Sequence, residues 1–297
     1  MVKKRTIGEF IFDIMNYAVM ATLLIIFVYP LYYCLAASFS DGGRLLAHRG
    51  LLLHPVGLSI RSYEILFLDR YIPRAFFNSV FYVVAGTSLS LILSLLAAYV
   101  LSRKKYMLKK IFLYMIIIPM YFSGGLIPFY IVVRLYLNLA DSPLAILLPS
   151  AINSFYVIIM ITYFKTLPES LEESAYIDGA NDFTILFRII VPISMPVIAV
   201  MIIYYGVAQW NSWFNASIFL SFKRYQWQPL QLQLREILIQ NSPLNLNMSG
   251  TDFFLQQQYR QLIKFSLIIL TVAPILLIYP MVQKHFVKGV MIGSLKD

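Results

Sequence analysis

Six stretches of this chain run for about 20 residues or more without Asp, Glu, Lys or Arg: Ile14 to Phe39, Ala75 to Ser102, Ile111 to Val133, Ser142 to Phe164, Ile189 to Phe222 and Phe265 to Gln283. A hydrocarbon core of about 30 Å needs about 20 apolar residues in a helix, and a helix satisfies its backbone internally where water is absent. The composition agrees with this, since 60% of the residues are hydrophobic and 13% are charged, against roughly 45–50% and 25% in soluble domains. A soluble enzyme, a disordered scaffold and a repeat array are excluded. The pattern holds no alternating polar and apolar strands, so a barrel is excluded too. The expected fold is an all-α integral membrane protein, a single domain over residues 1–297. Its six transmembrane helices are expected near 14–39, 75–102, 111–133, 142–164, 189–210 and 265–283. The first resembles a signal peptide at its start, but its length and the missing small-residue cleavage site predict a retained helix.

Basic residues orient such a bundle. Arg103, Lys104, Lys105, Lys109 and Lys110 crowd the short loop after the second stretch, Lys3, Lys4 and Arg5 precede the first, and Lys284 and Lys288 follow the last. The opposing short loop carries only Arg134 and Asp141. The positive-inside rule therefore predicts cytoplasmic N- and C-termini. The formal net charge of +10 reads as orientation against membrane lipid, with no nucleic acid as partner. Outer segments fall at about 40–74 and 211–264, and a cytoplasmic loop at about 165–188.

The chemistry is bounded by what the spans lack. No ionisable residue sits at the centre of a stretch, whereas proton relays and ion-coupled pumps need one. Cys34 is the single cysteine, and His48, His54 and His285 have no metal-ligand spacing, so no metal site is expected. Phosphate-binding, zinc-protease and nucleophile-elbow motifs are absent as well. No catalytic residue is expected, and if work is done here another polypeptide has to supply the energy. Asn215-Ala-Ser217 and Asn247-Met-Ser249 match a glycosylation pattern too common by chance to weigh.

The loop from Thr166 to Asp182 reads as a short helix. Thr166 with Glu169 and Ser170 with Glu173 have capping-box spacing, Pro168 suits a first turn, and Gly179 suits a left-handed end. About eleven residues of helix would be about 16 Å long, too short to span. Leu171, Ser174, Ala175 and Asp178 share one face. One reading is a helix lying on headgroups. The other is a helix that enters a groove on a cytoplasmic partner, its small residues allowing close approach and its acids meeting bases.

Glu173-Ser174-Ala175, three residues, Gly179, nine residues and Ile189-x-Val191-Pro192 resemble the EAA motif of permease subunits in binding-protein-dependent ABC importers, with Ser174 for the first Ala and Val191 for Leu. Phe122-Ser-Gly-Gly-Leu-Ile-Pro128, Gln209-Trp-Asn-Ser-Trp-Phe-Asn215 and Phe286-Val-Lys-Gly-Val-Met-Ile-Gly293 resemble the carbohydrate branch, in particular subunits serving pectic, alginate and other complex oligosaccharides. The resemblance implies a type I importer permease in a bacterial plasma membrane. It also implies a second homologous permease, two cytoplasmic P-loop ATPase subunits that hold ATP and Mg, and an extracytoplasmic solute-binding protein. This chain itself needs no cofactor. Glu172, Glu173, Ser174, Ala175, Asp178, Gly179 and Ala180 would form the ATPase-coupling segment, with Glu173 pairing to the ATPase.

Candidates for the oligosaccharide path are Asn153, Tyr204, Gln209, Trp210, Asn211, Trp213 and Asn215, since amides and aromatic faces hold sugars. The same residues suit an interfacial aromatic belt and helix-to-helix hydrogen bonds. Gly124-Gly125 beside Pro128 is expected to weaken span three, either to line a cavity or to allow close packing. Arg44, Arg49, Arg61, Arg70, Arg74, Lys223, Arg224 and Arg235 are outer cations that an acidic receptor or sugar would meet if they are not simply solvated. An ion-coupled secondary transporter and an importer of a non-sugar solute remain the alternatives.

Overall fold

The structure, a computed structural model, describes residues 7–104, 106–221, 226–239 and 261–280. Lys3, Lys4, Arg5, Lys105, Lys223, Arg224, Asn247, Lys284, His285, Lys288 and the closing segment 286–293 lie outside the described residues. All regular elements among the described residues are helical. The chain forms two compact units, Met1–Arg70 with Pro243–Ala273, and Tyr71–Ser242 with Pro274–Asp297.

In the first unit, α1 (Ile7–Ser38) runs 32 residues through Pro30 and buries only Ala36, Ala37 and Ser38. Most of its remaining apolar surface is exposed, as suits a helix surrounded by lipid or another subunit. Asp41 caps the short α2 (Gly42–Ala47) by accepting from the Arg44 N–H at 3.1 Å. In α3 (Arg61–Leu68), the Ser62 hydroxyl donates to the Ser38 carbonyl at 2.7 Å and receives the Ser266 hydroxyl at 2.8 Å. The Tyr33 ring meets Phe265 edge-on at 5.6 Å. These buried polar contacts fasten the end of α1 where water is scarce.

In the second unit, α4 (Ile72–Ser102) is the central element, long enough to cross a membrane. Spans three and four are each interrupted. Span three comprises α5 (Lys109–Tyr121) and α6 (Leu126–Ile131), which continues through a π-helical turn, Val132–Tyr136. Gly125 at φ 81° breaks it, a conformation that costs glycine little. Span four comprises α7 (Leu144–Leu147) and α8 (Ser154–Phe164), which begins where Asn153 turns extended and its side chain caps the Tyr156 N–H at 3.2 Å.

The chain then forms α9 (Ser170–Ile177), α10 (Asp182–Ile185), a π-helical turn over Leu186–Ile190, and α11 (Val191–Ile193). That wide turn stands just before Pro192, whose ring in a regular helix would strike the carbonyl of residue 188. The last helices are α12 (Met195–Trp210), α13 (Phe214–Phe219), α14 (Leu230–Leu238) and α15 (Gln261–Pro280). With α1, α4 and α15, the segment Met195–Phe219 is long and apolar enough to span.

The core lies where α4, α8 and α12 meet. Ala98, Val157, Met160, Phe164, Met201 and Tyr205 are buried there. Small residues of α4 let α12 approach closely. A Cβ on Gly86 would stand 2.6 Å from the Gln209 side chain, and Ser94 and Tyr205 share a hydrogen bond of 2.6 Å.

Candidate functional site

The 165–188 loop is built differently from its sequence reading in one respect. Helix α9 has eight residues, not about eleven, and begins after Glu169, which makes no side-chain cap. Thr166 has turned back, donating its hydroxyl to the Tyr163 carbonyl at 2.7 Å, so neither capping box forms and Pro168 stands before the helix. Glu172 and Glu173 favour the N-terminal turn by opposing the helix dipole. Its end follows expectation: Gly179 sits at φ 79°, its N–H donates to Tyr176 at 3.0 Å, and the Ala180 N–H reaches back to Ala175 at 2.9 Å. Asn181 then caps α10 through the Thr184 N–H at 2.8 Å.

The buried face of α9 consists of Glu172 and Ala175. Leu171, Glu173, Ser174, Tyr176, Ile177, Asp178 and Gly179 are exposed and Ala180 is half-buried. Glu172 pairs with Arg103, the residue that ends α4, and the Arg103 guanidinium lies 4.8 Å over the Tyr99 ring. Burial pushes the Glu172 carboxyl above its usual range, against the pull of Arg103. Lys104 and Glu169 meet at 2.7 Å in an exposed pair of the kind worth little. The Tyr176 hydroxyl donates to Asp182, which holds the phenol well above its usual range. Lys109 donates to the Arg103 carbonyl at 2.9 Å and is pulled below the usual lysine range, first by burial and then by Lys165, Arg103 and Lys104.

These groups border a cleft of about 950 Å³ whose walls include Tyr99, Lys109, Lys165, Glu173 and Phe183. Ile177 and Phe183, 87% and 67% exposed, project large apolar surface from the loop. A rigid helix with one side fastened by an ion pair and the other offering acids and apolar side chains can transmit a push from a partner.

The residues considered for a sugar path are dispersed. Asn153 is exposed and caps α8. Gln209 is buried, donating to Ser150 at 3.1 Å, and Trp210 is buried against Phe76. Tyr204 is half-buried against Tyr156, with ring centroids 5.3 Å apart. Asn211 is exposed and Asn215 half-buried. The Trp213 ring lies under the Arg235 guanidinium at 4.5 Å. Among the outer cations, Arg61 pairs with Glu64 at 2.8 Å and Arg74 donates to the Gln226 carbonyl at 3.2 Å.

A family model described as "Binding-protein-dependent transport system inner membrane component" matches residues 90–292, well over half the chain and all of the α9 loop. This chain belongs to that family. It is a multi-pass membrane component of a transport system, a permease subunit rather than an enzyme. The permease is 38% identical over 286 residues to the polygalacturonan/rhamnogalacturonan transport system permease protein YtcP of Bacillus subtilis (strain 168), across 96% of this chain and 98% of that protein. It is 36% identical over 286 residues to Protein LplC of the same organism, across 96% and 95%. A chain in the crystal structure of a bacterial ABC transporter involved in import of the acidic polysaccharide alginate superposes with a TM-score of 0.88 at 30% identity, covering 96% of this chain and 100% of that one. A chain of a bacterial alginate ABC transporter, solved with an alginate pentasaccharide-bound periplasmic protein, shares the fold at a TM-score of 0.60 and 14% identity.

Sequence reasoning did not find the Arg103–Glu172 pair. The basic loop after span two reads as a topology signal, and only the fold brings it against α9. Ile177 and Phe183 were missed as well, although exposed apolar residues beside a run of acids are a docking signature.

Proposed function

We propose that this permease forms, with a second homologous permease, the membrane path for an acidic oligosaccharide of the pectic or alginate type. A solute-binding protein delivers the sugar outside, and two cytoplasmic ATPases that bind ATP and Mg drive the cycle. The observation that carries the substrate class is the 38% identity, along almost the whole chain, to a permease for polygalacturonan and rhamnogalacturonan. The likeness to a permease of an alginate importer supports it, since both named systems handle acidic sugar polymers.

Orientation follows from the basic loop at 103–110: both termini and α9 face the cytoplasm. There α9 seats in a groove of one ATPase. Exposed Glu173 meets a basic residue and Ile177 fills an apolar pocket. Closure of the ATPase pair on ATP moves α9 as a lever. Its tie to Arg103 at the end of α4 carries the motion into the α4, α8 and α12 body. Hydrolysis resets it.

The test is uptake of a labelled oligogalacturonide and of a neutral oligosaccharide by cells with and without this chain. Loss of acidic-sugar uptake on deletion, restored by the wild-type chain, is expected. Unchanged acidic-sugar uptake contradicts the reading.

A further inference from the structure

The break in span three leaves a run of backbone groups unpaired at the middle of an apolar stretch. After the Phe122 N–H, which donates to Ile118 at 3.0 Å, the helical ladder of α5 stops. The Gly125 N–H turns to the Ser123 hydroxyl at 3.2 Å, and the ladder resumes with Phe129 donating to Gly125 at 3.4 Å. Among the described residues, the carbonyls of Pro119 to Gly124 and the N–H groups of Ser123 and Gly124 therefore lack a backbone partner. The break stands at the middle of the apolar stretch Ile111 to Val133, at the depth of the hydrocarbon. It is also uncovered by its own unit: α5 and α6 bury no residue, Phe122 is 76% exposed, and a Cβ at Gly124 would meet nothing within 4 Å.

Lipid cannot face such a segment, because each unsatisfied backbone group in hydrocarbon costs several kcal/mol. A helix of a second permease has no free backbone donors and could relieve it only through individual polar side chains, each reaching one or two of these groups. Water and sugar hydroxyls, which donate and accept at once, do relieve it. The absence of side chains at Gly124 and Gly125 leaves the peptide groups open to approach.

We infer that the 122–125 break lines the water-filled substrate path and that its peptide groups bind hydroxyls of the passing oligosaccharide. The sugar-binding half of this inference rests on the proposed function. The recognition is of hydroxyls, tolerant of which sugar ring presents them, so charge discrimination belongs to other parts of the system.

The test places Ser123→Cys in a Cys34→Ser background, in membranes holding the complete importer, and follows modification by a charged, membrane-impermeant methanethiosulfonate. Oligogalacturonide uptake by the Cys34→Ser parent is measured separately, so failure of the proposed function is told apart from failure of this inference. The expected result is modification of the thiol introduced by Ser123→Cys, slowed about tenfold when oligogalacturonide at about ten times its Kd is presented with binding protein and ATP. No modification in a variant that still transports overturns the inference, because the break is then dry. Modification that transported sugar leaves unchanged overturns the sugar contact. If Ser123→Cys does not assemble, Phe122→Cys is read in the same way.

Discussion

The carboxylate of Glu172, one residue before the first motif acid, pairs with the guanidinium of Arg103 at the end of α4, with side-chain exposures of 12% and 20%. Helix α9 is thereby fastened to the longest helix of its unit. Removing one member of a buried pair leaves the other desolvated, a loss of about 3–5 kcal/mol when burial is complete, and partial exposure puts this pair near 2–3 kcal/mol. Arg103→Ala is expected to cost that much and also to lose the stacking on Tyr99. Glu172→Gln, which can still accept from Arg103, is expected to cost less. Thermal melting of the purified complex gives the order, and ATP hydrolysed per sugar transported should rise most in Arg103→Ala.

The pH dependence of this site has a definite sign. Burial holds the Glu172 carboxyl above its ordinary value of 4.5; Arg103 opposes this, while Asp182 and Glu169 add to it. A raised carboxyl pKa means that the folded loop binds more protons than the unfolded chain between the two values, so stability falls as pH rises through that window. The contribution is fully present below 4.5 and is lost as pH climbs through the raised value. Glu172→Gln removes this slope. Its melting temperature relative to the parent should therefore improve as pH rises above 4.5, and a constant difference would contradict the assignment.

Gly179 is constrained by its backbone and not by space, since its φ is 79° and nothing lies within 4 Å of an added Cβ. Gly179→Ala is expected to cost about 1 kcal/mol of loop stability and to keep most uptake. Gly179→Asp adds bulk and charge on the exposed side proposed to meet the ATPase. It should leave membrane insertion intact while abolishing uptake and sugar-stimulated ATP hydrolysis, as should Glu173→Lys. Immunoblots of the membrane fraction and uptake assays separate these outcomes.

The contact between α4 and α12 at Gly86 is tight, and Gln209 cannot simply swing aside because it is buried and donates to Ser150. Gly86→Ala is expected to destabilise by about 1–3 kcal/mol through overpacking. Adding Gln209→Ala should recover much of that loss. Additive losses in the double variant would show that the two residues do not share one contact.

Much of the fold could be read from the residues themselves. Charge-free apolar stretches announced a helical membrane protein, Gly179 announced the end of α9, and Gly124-Gly125 announced the break in span three. Local polar choices were less readable. Thr166 had an acceptor in the preceding helical turn at Tyr163, so its capping-box spacing was not used. The inward face of α9 is set by the distant Arg103, which draws Glu172 inward beside Ala175 and leaves Ile177 outside. Asn153 and Gln209, amides suited to a sugar, instead spend hydrogen bonds on capping α8 and on packing. In each case several partners were chemically equivalent in sequence, and tertiary packing chose among them.

Helix α9 is proposed to meet a cytoplasmic ATPase, and a cross-link from Ile177, its most exposed large apolar side chain, probes that contact most directly. Ile177→Cys, in a Cys34→Ser background and in native membranes, is treated with a short thiol-to-amine cross-linker, and the adducts are identified by mass spectrometry. One dominant adduct with a P-loop ATPase subunit is expected, changing in yield when ATP is added. Adducts with membrane chains alone, while other ATPase complexes survive the same preparation, would contradict it.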